Sequence, residues 1–202
     1  MRKLAIILLI LTGGFLNSCS ENDNDNDIIV SLTAVEKEDL LRLREEEKLA
    51  RDVYLFSYEQ YGLSIFTNIA ASEQSHMDKV LTLLNTYKIA DPVLAEKGVF
   101  NDPVLQQLYD DLTAQVLISL VEALKVGATI EDLDIKDIED FENRTDKPDI
   151  LSAYDKLKCG SRNHMRSYYS QLINNSVTYT AQFISSNELI EIINNSNEKC
   201  GN

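Results

Sequence analysis

Apolar residues return at alternating steps of three and four along four long stretches of this 202-residue chain, and no stretch of any length alternates at the period of a strand. That pattern restricts the fold to helices with one buried face each. The first stretch opens at Thr33, where Thr33-Ala34-Val35-Glu36 has the form of a capping box, and runs to Tyr61, with Gly62 as its stop. Leu40, Leu43, Glu47, Ala50 and Tyr54 share its inward face. The second, about Ser64 to Tyr87, carries Phe66, Ile69, Ala70, Glu73, His76, Met77, Val80, Leu84 and Tyr87. A linking stretch from Lys88 to Asp102 follows, and Pro103 is placed to open a short helix from Val104 to about Thr113. The third long helix is expected from about Gln115 to Phe141, on a stripe of Leu117, Leu120, Val121, Leu124, Ala128, Glu131, Ile135 and Ile138. The fourth follows Pro148 and runs to about Asn174, with Leu151, Tyr154, Leu157, Ser161, His164, Met165, Tyr168 and Leu172 inward. A final short helix is expected over about Ser186 to Asn194. Gly127 predicts close packing or a local irregularity, and Gly160 an interruption just before His164. Four long amphipathic helices predict an all-α four-helix bundle over residues 31–202.

The composition agrees, with 7 Gly, 3 Pro and no Trp. A net charge of -14 excludes a nucleic-acid partner, because no basic patch exists to release counterions from phosphates.

The N-terminus reads as a targeting segment. Met1-Arg2-Lys3 is a short basic start, and the apolar run Leu4 to Leu11 is too short to span a bilayer. Leu16-Asn17-Ser18-Cys19 resembles the lipobox of bacterial lipoproteins. The resemblance implies a signal peptide over residues 1–18, acylation of Cys19, and attachment to the bacterial cell envelope by the lipid anchor alone, at the outer membrane and on its periplasmic or surface face. An ordinary signal peptide with an incidental cysteine is the alternative. Residues 19–30 form an acidic tether; Asp23, Asp25 and Asp27 do not start a calcium loop, because Ile28 stands where the obligatory Gly belongs and Ala34 where the bidentate Glu belongs. In an exported domain Cys159 and Cys200 invite a disulfide, with free thiols or thiolate metal ligands as alternatives.

Every long stripe carries a polar residue where an apolar one is expected: Glu47, Glu73 with His76, Glu131, and Ser161 with His164. A lone carboxylate in an apolar core protonates or finds a partner. Intrusions in all four helices predict a shared one. Glu73-x-x-His76 puts a carboxylate and an imidazole one turn apart on one face, and carboxylates with imidazoles suit iron or manganese. Glu46 competes with Glu47, since Leu43, Ala50 and Val53 also make a stripe with it. Tyr54 and Tyr168 either border the site or simply fill core; Met77 and Met165 read as core.

The segments EEEKLARDVY (45–54), NIAASEQSHM (68–77), VGATIEDLDIKDI (126–138) and GSRNHMR (160–166) together resemble the ferritin-like di-iron carboxylate superfamily, in its uncharacterised branch called domain of unknown function 2202. The resemblance implies Glu47 as the ligand of the first helix, Glu73 as bridging carboxylate with His76 as its imidazole partner, Glu131 from the third helix and His164 as second imidazole. Ser161 departs from the pattern, standing where a second bridging Glu belongs. Asp134, one turn after Glu131, is the substitute, with Asp137 behind it. The implied activity is an iron-dependent oxidase, peroxidase or ferroxidase with a di-iron or di-manganese site, fed by an external reductant because the chain has no Cys-rich electron-transfer module. Two other functions compete: a metal-binding or sensing lipoprotein without catalysis, favoured by Ser161, and a structural or interaction lipoprotein with a vestigial site.

Overall fold

Thr33 starts the first helix because its hydroxyl accepts the Glu36 N–H at 3.1 Å while the Glu36 carboxylate accepts the Thr33 N–H at 2.7 Å. The helix stops at Gly62, whose φ of 64° lets its N–H reach the Tyr58 carbonyl at 2.8 Å. This is α1, Ala34–Tyr61, in a computed structural model that describes residues 31–201. The expected signal segment, Cys19 and the acidic tether lie outside the described residues. Then come α2 (Ser64–Thr86), α3 (Pro103–Val116), α4 (Leu120–Glu142), α5 (Pro148–Asn174) and α6 (Ser186–Asn194). The described residues contain no strand. None of their helices is long and apolar enough to cross a membrane.

The four long helices make an all-α bundle: α1 packs on α2 and α4 on α5, while α1–α4 and α2–α5 contacts close the square. The shorter α3 lies against α1 and α4, and α6 against α5. The apolar core is split in two. One cluster gathers Leu40, Leu43, Val80, Leu84, Ile138 and Tyr154; the other gathers Val53, Tyr54, Phe66, Leu124, Met165 and Tyr168. On α1, α2 and α5 the polar intrusions fall between the two clusters, so the bundle holds a polar layer between apolar ends.

Two boundaries differ from the expected ones. The short helix extends to Val116, and the third long helix begins at Leu120 rather than near Gln115. Ser119 decides this, since its side chain accepts the Glu122 N–H at 3.1 Å and caps the new helix. Leu117, expected in the buried stripe, therefore sits in a turn and is 59% exposed. Gly160 does not interrupt the fourth long helix; α5 is continuous through it.

The outer side of α1 is buried as well, beneath the 88–102 linker. Lys48, fully buried, donates to Asp52 (2.6 Å) and to the carbonyls of Glu96 (2.9 Å) and Val99 (3.1 Å). Its Nζ also lies 4.2 Å from the centre of the Phe100 ring. Arg44 grips Asp91 with two bonds of 3.1 and 2.8 Å, and Glu45 accepts the Asn101 N–H at 2.9 Å. An irregular linker of this length needs such anchors, because its backbone groups have no helix to pair in. At the other end of the chain, a Cys159–Cys200 disulfide ties the tail to α5. Closing a 41-residue separation in this way contributes about 4 kcal/mol by the loop-entropy relation.

Glu36 gives the fold an acid-sensitive point. Burial alone would raise its pKa, but hydrogen bonds from Thr145, Thr33 and Lys147 outweigh burial and hold it down at about 2. Its stabilisation is complete above the ordinary carboxylate pKa and is lost as pH falls toward 2. Between about pH 5 and about pH 2.5 the wild type should lose on the order of 1–2 kcal/mol that Glu36→Gln does not lose, read from urea midpoints at the two pH values.

Candidate metal centre

The i, i+3 spacing on α2 sets Glu73 and His76 on one face, with Glu73 Oε2 2.8 Å from His76 Nδ1. The other oxygen of the same carboxylate, Oε1, lies 2.8 Å from Nδ1 of His164 on α5. Glu73 thus stands between two imidazoles. Each imidazole meets a second carboxylate: Glu47 of α1 lies 3.2 Å from His76 Nδ1, and Glu131 of α4 lies 3.4 Å from His164 Nδ1. Two triads result, Glu47–Glu73–His76 and Glu73–Glu131–His164, and within each the donor atoms lie within 4.8 Å of one another. The imidazole planes are 29° apart with centroids 5.6 Å apart. All five side chains are buried.

This layer is polar beyond what its own groups satisfy. Glu47 Oε1, Glu73 Oε1 and His164 Nδ1 have no hydrogen-bond partner of acceptable geometry. Burial would lower both histidine pKa values, but the facing carboxylates outweigh it and hold His76 well above its ordinary value and His164 at about 10. Burial pushes Glu47 up to about 8 against the pull of His76. Burial acts to raise Glu73 too, yet the two imidazoles flanking it hold it well below the carboxylate range. Both rings turn Nδ1 inward, where a cation in each triad would replace the missing partners. Unpaired carboxylate oxygens on α1 and α2 and an unpaired imidazole nitrogen on α5, in a layer drawn from four helices, fit a divalent metal, and these buried groups could hold one.

The other expected positions sort themselves by geometry. Asp134 joins neither triad; its Oδ2 accepts from the Ser161 hydroxyl, at the edge of the layer. Burial, with Glu47 and Glu131 nearby, holds Asp134 well above the usual carboxylate range. Glu46 turns away from Glu47 to Arg42 at 2.7 Å, and Asp137 approaches the same guanidinium at 3.7 Å. Tyr54 borders the site, donating to Glu131 at 2.6 Å, and its ring packs 5.3 Å from that of Tyr168. Two contributors carry no periodic signal in the sequence. Ser72 lies 2.9 Å from the outward nitrogen of His164. Gly160 faces His76 so closely that a Cβ there would lie 2.5 Å from Nε2. Gly127 makes the same allowance for the Tyr168 ring.

Gly160→Ala should therefore push the His76 ring off its present position. Overpacking of about 1–3 kcal/mol should exceed the roughly 1 kcal/mol that Ala gains in helix propensity. Metal affinity should fall about 10–100-fold, as for other supporting residues. Calorimetric metal titration beside thermal unfolding checks both parts.

Residues 36–196 match the DUF2202 family, described as an uncharacterized protein domain. The chain belongs to this family. It is 53% identical over 165 residues to uncharacterized protein MJ0754 of Methanocaldococcus jannaschii, covering 81% of this chain and 89% of that relative. It is also similar to a crystal structure of hypothetical protein MJ0754 from Methanococcus jannaschii, with a TM-score of 0.82 and 52% identity over 83% of this chain and 96% of that one. The match to DUF2202 spans every triad residue, from Glu47 to His164.

Proposed function

We propose that this DUF2202 chain is a lipid-anchored envelope protein whose bundle core is a ferritin-like metal centre, acting as an iron- or manganese-dependent oxidoreductase on dioxygen or peroxide. The observation that carries the proposal is Glu73, one carboxylate facing two imidazoles, each backed by its own second carboxylate. When bound, the metal supplies electron exchange with the oxidant. The chain's residues do the rest. Glu47, Glu73, His76, Glu131 and His164 hold and orient the ions, and the apolar clusters on either side limit water. Ser72 fixes the His164 ring from its outer nitrogen. Tyr54 holds a proton on Glu131 Oε1 through its hydroxyl. Electrons come from an external donor, since both cysteines of the described residues are joined in the disulfide.

The test is elemental analysis of protein purified without chelators, with an absorption spectrum and oxygen or peroxide consumption under an added reductant. Two metal ions per chain with turnover support the proposal; bound metal without turnover sinks the catalytic half. A non-catalytic metal-binding or sensing role is favoured by one observation, the Ser161–Asp134 pair where a second bridging Glu would stand. A single ion per chain decides for that role. Anchoring is tested by fatty-acid labelling, which should vanish in Cys19→Ser.

A further inference from the structure

We infer that a polar cleft between α2 and α5 binds a small, doubly charged oxyanion of the sulfate and phosphate type, held by Lys79 and Lys156 and accepting from His76 Nε2. The anion site stands without a metal; its coupling to one rests on the function proposed above. The cleft offers about 330 Å3 of room, enough for a tetrahedral oxyanion with water around it. Ten residues line it and none is acidic, in a chain with 33 Asp and Glu. Among the described residues Lys79 and Lys156 meet no carboxylate, whereas Lys48, Lys97, Lys125, Lys136, Lys147 and Lys158 each meet one. Two cations left over in so acidic a chain, on the walls of one cleft, call for an anion between them.

Helical spacing builds both walls. On α2, Ser72, Ser75, His76 and Lys79 share one face, and on α5 Lys156, Gly160 and His164 recur at steps of four. The tail closes a third side, where the Cys159–Cys200 disulfide holds it. The Lys156 stem lies along this side, since a Cβ on Gly201 would stand 3.8 Å from its Cε. These residues fall midway along both helices, at the level of the triads. The cleft therefore takes a free ion rather than a headgroup embedded in a bilayer.

His76 Nε2 ties the cleft to the centre. A ligating imidazole ordinarily gives its outer N–H to a partner that fixes the ring and raises its basicity. His164 has such a partner in Ser72, at 2.9 Å. His76 meets carboxylates at Nδ1, but its Nε2 has no partner among the described residues, although the residue is only 5% exposed and lines the cleft. Gly160, which faces this nitrogen, has no side chain to bond it. A metal held at Nδ1 leaves a hydrogen on Nε2, and an oxyanion between the two ammoniums would accept it. Anion and metal then act through one ring, so each should tighten the other by the same factor.

Full-length protein is titrated calorimetrically with sodium sulfate, and with sodium acetate at matched ionic strength. Sulfate should bind saturably and be displaced by phosphate, with acetate at least about ten-fold weaker. Lys79→Gln and Lys156→Gln, both at half-buried positions, should each weaken sulfate about ten-fold, while Lys37→Gln, exposed on α1, should not. With isotope-labelled histidines in metal-free protein, the His76 Nε2 resonance should follow the sulfate titration. Saturating sulfate should raise manganese(II) affinity about five-fold or more. No saturable sulfate binding, equal binding of acetate, or binding unchanged in both lysine variants overturns the site. Sulfate binding that leaves the His76 resonance still overturns the contact with the ring. Sulfate binding with manganese(II) affinity unchanged overturns the coupling and leaves the oxidoreductase standing. Sulfate binding to a protein that takes up no metal supports the anion site and sinks both the coupling and the oxidoreductase.

Discussion

Glu73→Gln should cost the protein both metal positions in a single step. The carboxylate belongs to both triads, with one oxygen 2.8 Å from each imidazole, so no other ligand substitution reaches as far. Glutamine keeps the shape and removes the charge that offsets two buried imidazoles. Glu47→Gln touches only the His76 triad and Glu131→Gln only the His164 triad. Metal affinity in Glu73→Gln should fall by more than the roughly 10–100-fold that supporting residues cost, at both positions. Each of the other two should weaken one position and spare its neighbour. Elemental analysis of the three variants after identical reconstitution distinguishes them. Equal retention of metal in Glu73→Gln and wild type would exclude the bridge.

Lys48→Ala should produce the largest loss of stability, about 3–5 kcal/mol. Lys48 has no exposure, and its removal takes a donor from Asp52 and from the carbonyls of Glu96 and Val99 at once. Asp52 retains Arg51 at 2.8–2.9 Å and the Gly98 N–H at 2.9 Å, but the linker carbonyls are left without their cation. The denaturation midpoint should drop with proteolysis starting in residues 88–102. Lys48→Met refills the volume over Phe100 without the charge and should recover only part of the loss. Metal content of the folded fraction should stay as in the wild type, because Lys48 points away from the triads. Lost metal at unchanged stability would reverse that assignment.

The sequence pattern made the bundle and the layer legible for one physical reason. A polar residue inside an apolar stripe of known period must lie in the core, so Glu47, Glu73, His76, Glu131 and His164 could be gathered before any coordinates. Less legible was anything set by contacts between helices. Glu46 and Glu47 each complete a stripe on α1, because that helix is buried inward at Leu43, Glu47 and Tyr54 and outward at Arg44, Lys48 and Asp52. Only the placement of Arg42 and Asp137 turns Glu46 aside. Asp134 is near the layer but bonded to Ser161, a pairing across α4 and α5 that no spacing along one helix reveals. Gly160 reads locally as a helix breaker, and its real service is to a ring on α2. Leu117 and Leu120 both fit the helical period, so the period alone starts α4 too early, whereas Ser119 caps between them.

A little over two turns of α5 are held from both sides. Inward, Gly160, Ser161 and His164 meet the carboxylate–histidine layer; outward, Cys159 is joined to Cys200 while Arg162, Asn163 and Arg166 all bond Glu198 of the tail. A stretch clamped on two faces cannot fray or roll about its own axis without releasing one of them. Backbone amides from Cys159 to Arg166 should then exchange with solvent only when the whole bundle opens, making this the slowest-exchanging part of the protein and placing it far from either end of its helix.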